Sequence, residues 1–121
     1  MVKYKSLNDA KVLYPELAQG STKIWYARYS RDLGMGYEWC QKQNCLPDVS
    51  NIEKTHAYIG AIDCVNLERI FELLQGEFWS PNGEAYDLIE ATDTHTSISV
   101  GDIVQTEEGC FLVDRIGFKK L

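Results

Sequence analysis

Cys40, Cys45, His56 and Cys64 are the residues of this chain whose types suit a structural zinc ion, since thiolate and imidazole are the ligands that zinc prefers. Their spacing argues against a site. Cys40 and Cys45 enclose four residues, the upper limit of a zinc knuckle, while His56 and Cys64 fall in or beside a predicted strand instead of forming a second knuckle. Reduced thiols packed as small hydrophobes are the expectation, with no metal and no cofactor.

A second constellation lies in the run His95-Thr96-Ser97-Ile98-Ser99-Val100-Gly101-Asp102. His95 with Ser97 or Asp102 would supply a base and a nucleophile or carboxylate, the elements of a small hydrolase or nucleotide-processing enzyme. A triad usually gathers its members from separate segments, and this run is neither a Gly-x-Ser-x-Gly elbow nor a Ser-x-x-Lys motif. The competing expectation is a turn in which the hydroxyls of Ser97 and Ser99 and the Asp102 carboxylate bind nearby backbone amides. No catalytic centre is expected from it. The chain also has no phosphate-cradling glycine loop and no His-Glu-x-x-His motif.

Carboxylates recur at Glu68 and Glu72, and again at Glu84, Asp87 and Glu90. Paired carboxylates can bind a divalent cation or act as acid and base, but helical spacing explains these as solvated faces, available to a binding partner. An acidic helical surface can also imitate a phosphate backbone. Trp79, next to Phe78, is expected to pack over a helix start, with an exposed anchor for a protein partner as the alternative.

Those residues are set on predicted elements. Ser6 to Asp9 has the form of a helix start, and Pro15 a stop. Lys23 to Tyr29 reads as an aromatic-rich strand, and His56 to Ile62 as a second, with Ala57, Ile59 and Ala61 on one face and Tyr58 and Ile62 on the other. Leu33 to Asp48 reads as exposed, irregular backbone around a short helix at Tyr37 to Gln43. Leu67, Ile70, Phe71 and Leu74 recur at helical spacing, with Asn66 as N-cap, Val65 stapling onto Ile70 and Gly76 as C-cap. Ser80-Pro81 opens a further helix to about Ala91. Ile103 to Thr106 and Cys110 to Arg115, turned around Glu107-Glu108-Gly109, form a hairpin. The class is α+β: one domain over residues 1–121, with a small, mainly antiparallel sheet and helices packed on one face.

The totals agree with a single globular domain: 121 residues, 45% hydrophobic, 25% charged. The net charge of -6 is concentrated in the second half, where four basic residues face twelve acidic ones, against eight and six in residues 1–60. Such a field suits a basic partner and makes direct nucleic-acid binding unlikely. With no apolar run of about 18 residues and no secretory leader in Met1 to Leu7, a non-membrane, cytoplasmic protein is expected.

The run from His95 to Val104, followed by Val113-Asp114-Arg115-Ile116-Gly117-Phe118, resembles the YodL-like domains of mobile-element and phage accessory proteins. Gln75-Gly76-Glu77-Phe78-Trp79-Ser80-Pro81-Asn82-Gly83-Glu84-Ala85 is similar to a segment upstream of that motif in plasmid- and phage-borne small proteins. The resemblance spans about residues 65–121 and carries no catalytic residues. It implies an accessory role in a phage or other mobile genetic element, often anti-defence.

The expectation is a non-enzymatic accessory protein engaged in protein-protein interaction with a host or element-encoded partner, in the bacterial cytosol. Its binding residues would be Glu68, Glu72, Glu84, Asp87, Glu90, Trp79, Ser97, Ser99 and Asp102. The hydrolase built on His95 and a structural subunit of a larger complex are the alternatives.

Overall fold

In the computed structural model, residues 14–28, 30–75 and 97–121 are described. The expected helices near Ser6 and from Pro81 to Ala91, the Gly76 cap, Trp79 and His95 lie outside them. Among the described residues, five strands form one antiparallel sheet: β1 (Thr22–Ala27), β2 (His56–Ile62), β3 (Ile103–Thr106), β4 (Gly109–Val113) and β5 (Phe118–Lys120). Their spatial order is β2-β1-β3-β4-β5. β1 is therefore interior although it comes first, flanked by β2 and by the central strand β3, which pairs Val104 with Ile24 and Ile103 with Trp25. The class is α+β, and the C-terminal strands form the expected hairpin. Its turn is the two residues Glu107-Glu108, because Gly109 already pairs with Thr106. The edge strand β5 was not apparent in the sequence; it carries Lys119 and Lys120, charges that discourage further strand pairing.

Alternation along the strands sends side chains to two faces. Ile24, Tyr26, Val104 and Val113 meet Ile59 and Ile62 on one, beneath helix α3 (Leu67–Leu73), whose Ile70, Leu73 and Leu74 complete this main core. Burying each of those three side chains is worth about 1.5–3 kcal/mol. Asn66 caps α3 as expected, its side-chain oxygen accepting from the Arg69 amide at 2.9 Å. The staple does not form: Val65 is 73% exposed while Ile70 is fully buried. The buried stripe is also rotated by one position, with Leu73 inside and Phe71 40% exposed.

The other face carries Ile103, Cys110 and Leu112, with Trp25 beside them, and is covered by Ile52, Tyr37 and Leu46. The stretch expected to be exposed and irregular is thus a packed cover. It begins at the last residue of α1 (Ser30–Leu33), contains the expected short helix as α2 (Tyr37–Lys42), and buries Leu33 and Cys40 against Ala27.

A register shift separates Ile24, opposite Gly60, from Trp25, opposite Tyr58. The extra residue, Ile59, is a β-bulge, and it reverses the alternation beyond it. That is why Ile62 joins Ile59 in the core although the simple period-two reading put them on opposite faces.

Candidate functional site

The Ser97 to Asp102 segment leads into β3 and crosses the end of β1. Asp102 is fully buried. One carboxylate oxygen accepts from the Ala27 amide at 2.8 Å, and the other from the Ser99 amide at 2.8 Å. Its own backbone amide donates to the Ser99 carbonyl at 3.0 Å, and its carbonyl accepts from Val113 at 2.8 Å. This is the turn arrangement, with the carboxylate holding backbone amides. Asp102 is consequently not part of an exposed binding surface; burial removes it from the set of candidate contact residues. Ser99 is exposed, Ser97 is half-buried, and Ile98 sits in the main core.

His56 is buried against the same turn. Its Nε2 lies 2.7 Å from the Gly101 carbonyl, which can only accept, so Nε2 carries the proton. Nδ1 lies 2.7 Å from the Thr55 hydroxyl. Burial lowers the His56 pKa, against the opposing pull of the Gly101 carbonyl and the Asp102 charge. Both ring nitrogens are thereby occupied within the fold. Gly101 takes φ +99°, and a Cβ there would stand 2.7 Å from the Cβ of Leu33, so both conformation and space call for glycine.

The four zinc-type residues are not brought together. His56 sits in the sheet, Cys64 packs at the edge of the main core, and Cys40 and Cys45 pack together on the opposite face. All four cysteines of the chain are free thiols. Among the described residues, no group of three or more His, Cys, Asp or Glu side chains is placed to hold a metal ion.

The surface of α3 is different in kind. Glu68 and Glu72 are exposed, as their spacing implied. Arg69 lies between them: its Nη1 donates to Glu72 at 2.6 Å, and its Nε to Glu16 at 2.8 Å. The Arg69 bond holds the Glu16 carboxyl below its ordinary pKa. The guanidinium also stands 5.7 Å from the centre of the Tyr14 ring. With Glu16 and Glu72 on one guanidinium and Glu68 lining the same depression, these four side chains carry a net negative charge. The pair Glu16 and Arg69, 53 positions apart, left no signal in the sequence.

Two depressions meet at Glu68. One, of about 550 Å³, is open and polar, lined by Glu16, Cys64, Val65, Asn66, Glu68, Arg69 and Glu72. The other, of about 340 Å³, is more apolar and runs between Phe71 on α3 and the turn from Val113, at the end of β4, to Phe118, at the start of β5, with Asp114 and Arg115 also lining it. Beside it, Ile116 is 90% exposed in the turn between β4 and β5. Among the described residues, no side chain is paired with Glu68. Glu84, Asp87 and Glu90, the other expected carboxylates, lie outside those residues.

The fold and this surface define a small α+β protein with an antiparallel sheet and an acidic, partly apolar helix face. No family model, no curated protein and no solved structure matches the chain. Among the described residues, no helix is long and apolar enough to cross a membrane.

Proposed function

We propose that this is a non-enzymatic binding protein whose α3 surface docks a basic protein partner. The observation that carries the reading is the meeting of the two depressions at Glu68, an exposed carboxylate flanked by exposed Phe71 and Val65. Apolar anchors beside charge are the composition of a docking patch, while scattered single hydrophobics are not. The excess of carboxylates over Arg69 in this depression, Glu68 among them, favours a partner segment with lysine or arginine next to an apolar side chain.

The resemblance of residues 65–121 to YodL-like domains supplies the setting: an accessory protein of a phage or mobile genetic element, acting on a host or element-encoded protein in the bacterial cytoplasm, with anti-defence inhibition as the role. The test is affinity capture from bacterial lysate at low and then moderate salt, followed by binding of the captured protein to the Glu68→Lys variant. One stoichiometric partner whose affinity falls with salt and with charge reversal supports the reading. A partner indifferent to both removes the α3 surface from it.

A further inference from the structure

The end of α2 places two cysteines at the two positions of a helix C-cap whose side chains touch. Asn44 takes the left-handed conformation, φ 55°, after the cap residue Gln43. The Cys45 amide donates to the Cys40 carbonyl at 2.9 Å, and the Asn44 amide to the Gln41 carbonyl at 3.2 Å. This pair of nested bonds is a Schellman motif, in which the residue after the left-handed position packs on the one that begins the closing turn. Here those residues are Cys45 and Cys40. Both lie in the cluster of Ala27 and Leu33 on the covered face of the sheet, whereas Cys64 and Cys110 belong to two other clusters.

The two thiols are not equivalent. Cys40 is fully buried, with its Sγ 3.2 Å from the Asp32 carbonyl oxygen. Burial, the neighbouring Cys45 thiol and the nearby Asp32 and Asp114 carboxylates push its pKa up to about 11, so it is held as the thiol. Cys45 is half-buried, the more exposed of the two.

We propose that Cys40 and Cys45 form a reversible oxidation site that closes to an intramolecular disulfide with hydrogen peroxide as the oxidant. Cys45 is attacked first. Its thiolate sulfur bonds to one peroxide oxygen, the O–O bond breaks, and the departing hydroxide takes the proton the thiol gave up, leaving a sulfenic acid and one water. The Cys40 sulfur then displaces the sulfenic hydroxyl, which leaves as a second water with the Cys40 proton. Two thiols lose two electrons, and the peroxide gains them. The product ties the last turn of α2 to the segment that carries Leu46 over the sheet.

The sequence favours a clean test, because Lys42 lies between the two cysteines and trypsin separates them into peptides 32–42 and 43–54. The folded full-length protein is treated with hydrogen peroxide, alkylated with N-ethylmaleimide, digested and analysed by mass spectrometry. The expected result is recovery of the two peptides joined, and their separation by dithiothreitol. In urea, where the cap is lost, the joined species is expected to give way to mixed pairings with Cys64 and Cys110. Cys45→Ser is expected to lower oxidation of Cys40 at least about tenfold, since a buried thiol has neither exposure nor thiolate character. Three results overturn the proposal: Cys45 accumulating as sulfenic or sulfinic acid beside an alkylated Cys40, Cys45 pairing with another cysteine in the folded protein, or Cys45 remaining fully alkylated.

Discussion

The Asp102 carboxylate accepts the Ala27 amide at 2.8 Å across 75 positions of sequence, joining the start of β3 to the end of β1. Its second oxygen fixes the turn at Ser99. One buried carboxylate therefore holds both the β1–β3 pair and the segment entering it. Because both oxygens face N–H donors, Asp102→Asn must turn its amide nitrogen toward one of them. Both Asp102→Asn and Asp102→Ala are expected to cost about 3 kcal/mol or more, the scale of lost charge-assisted bonds plus an unpaired buried amide. Urea unfolding measures it; an Asn variant as stable as the wild type would contradict the arrangement.

His56 makes stability depend on pH. Its folded pKa is lowered, chiefly by burial, from the value of 6.5. The unfolded chain therefore binds this proton at a higher pH than the folded one. The contribution of neutral His56 is complete above about pH 6.5 and is lost progressively as pH falls below it. Denaturation midpoints between pH 7.5 and about 5 should decline in the wild type and decline less in His56→Gln, with the difference between the two profiles isolating this residue from carboxylates that titrate lower.

Thr22 is fully buried opposite Ile62, and its hydroxyl has no hydrogen-bond partner among the described residues. Thr22→Val keeps the shape and removes the unmatched polar group. A gain of about 1 kcal/mol is expected, the cost of burying a hydroxyl without a bond. A loss of stability in thermal melts would mean that the hydroxyl is bonded.

Much of the fold was legible because it is periodic and local. Strand β2 appears at its expected residues, His56 to Ile62, and the hairpin turn and the Asn66 cap are marked by residue type within a few positions of the structure they form. What was not legible depends on contacts distant in sequence. The bulge at Ile59 reverses a face for lack of a partner opposite it, and the covering of the second sheet face depends on Ile52 and Leu46 meeting Leu112. At the candidate site, exposed Glu68 and Glu72 follow from helical spacing, whereas the Glu16 bond to Arg69 and the apolar depression beside Phe118 exist only after the chain has closed. Asp102 shows the same limit. Its turn chemistry could be read locally, but its burial could not, since that comes from Ala27.

The α3 helix separates stability from recognition at adjacent positions. Ile70 is fully buried in the main core, and Phe71, one residue on, is 40% exposed beside the apolar depression. Ile70→Ala should cost about 2–5 kcal/mol, a large-to-small change in a packed core. Phe71→Ala removes a side chain that is only partly buried and should lower the unfolding midpoint less than Ile70→Ala does while weakening partner binding; Glu68→Lys should weaken binding by a salt-sensitive route. Measuring both properties on all three variants distinguishes the roles. If Phe71→Ala destabilises the fold as much as Ile70→Ala, Phe71 is a core residue and the docking surface loses its apolar anchor; if it binds the captured partner with wild-type affinity, the partner is held elsewhere.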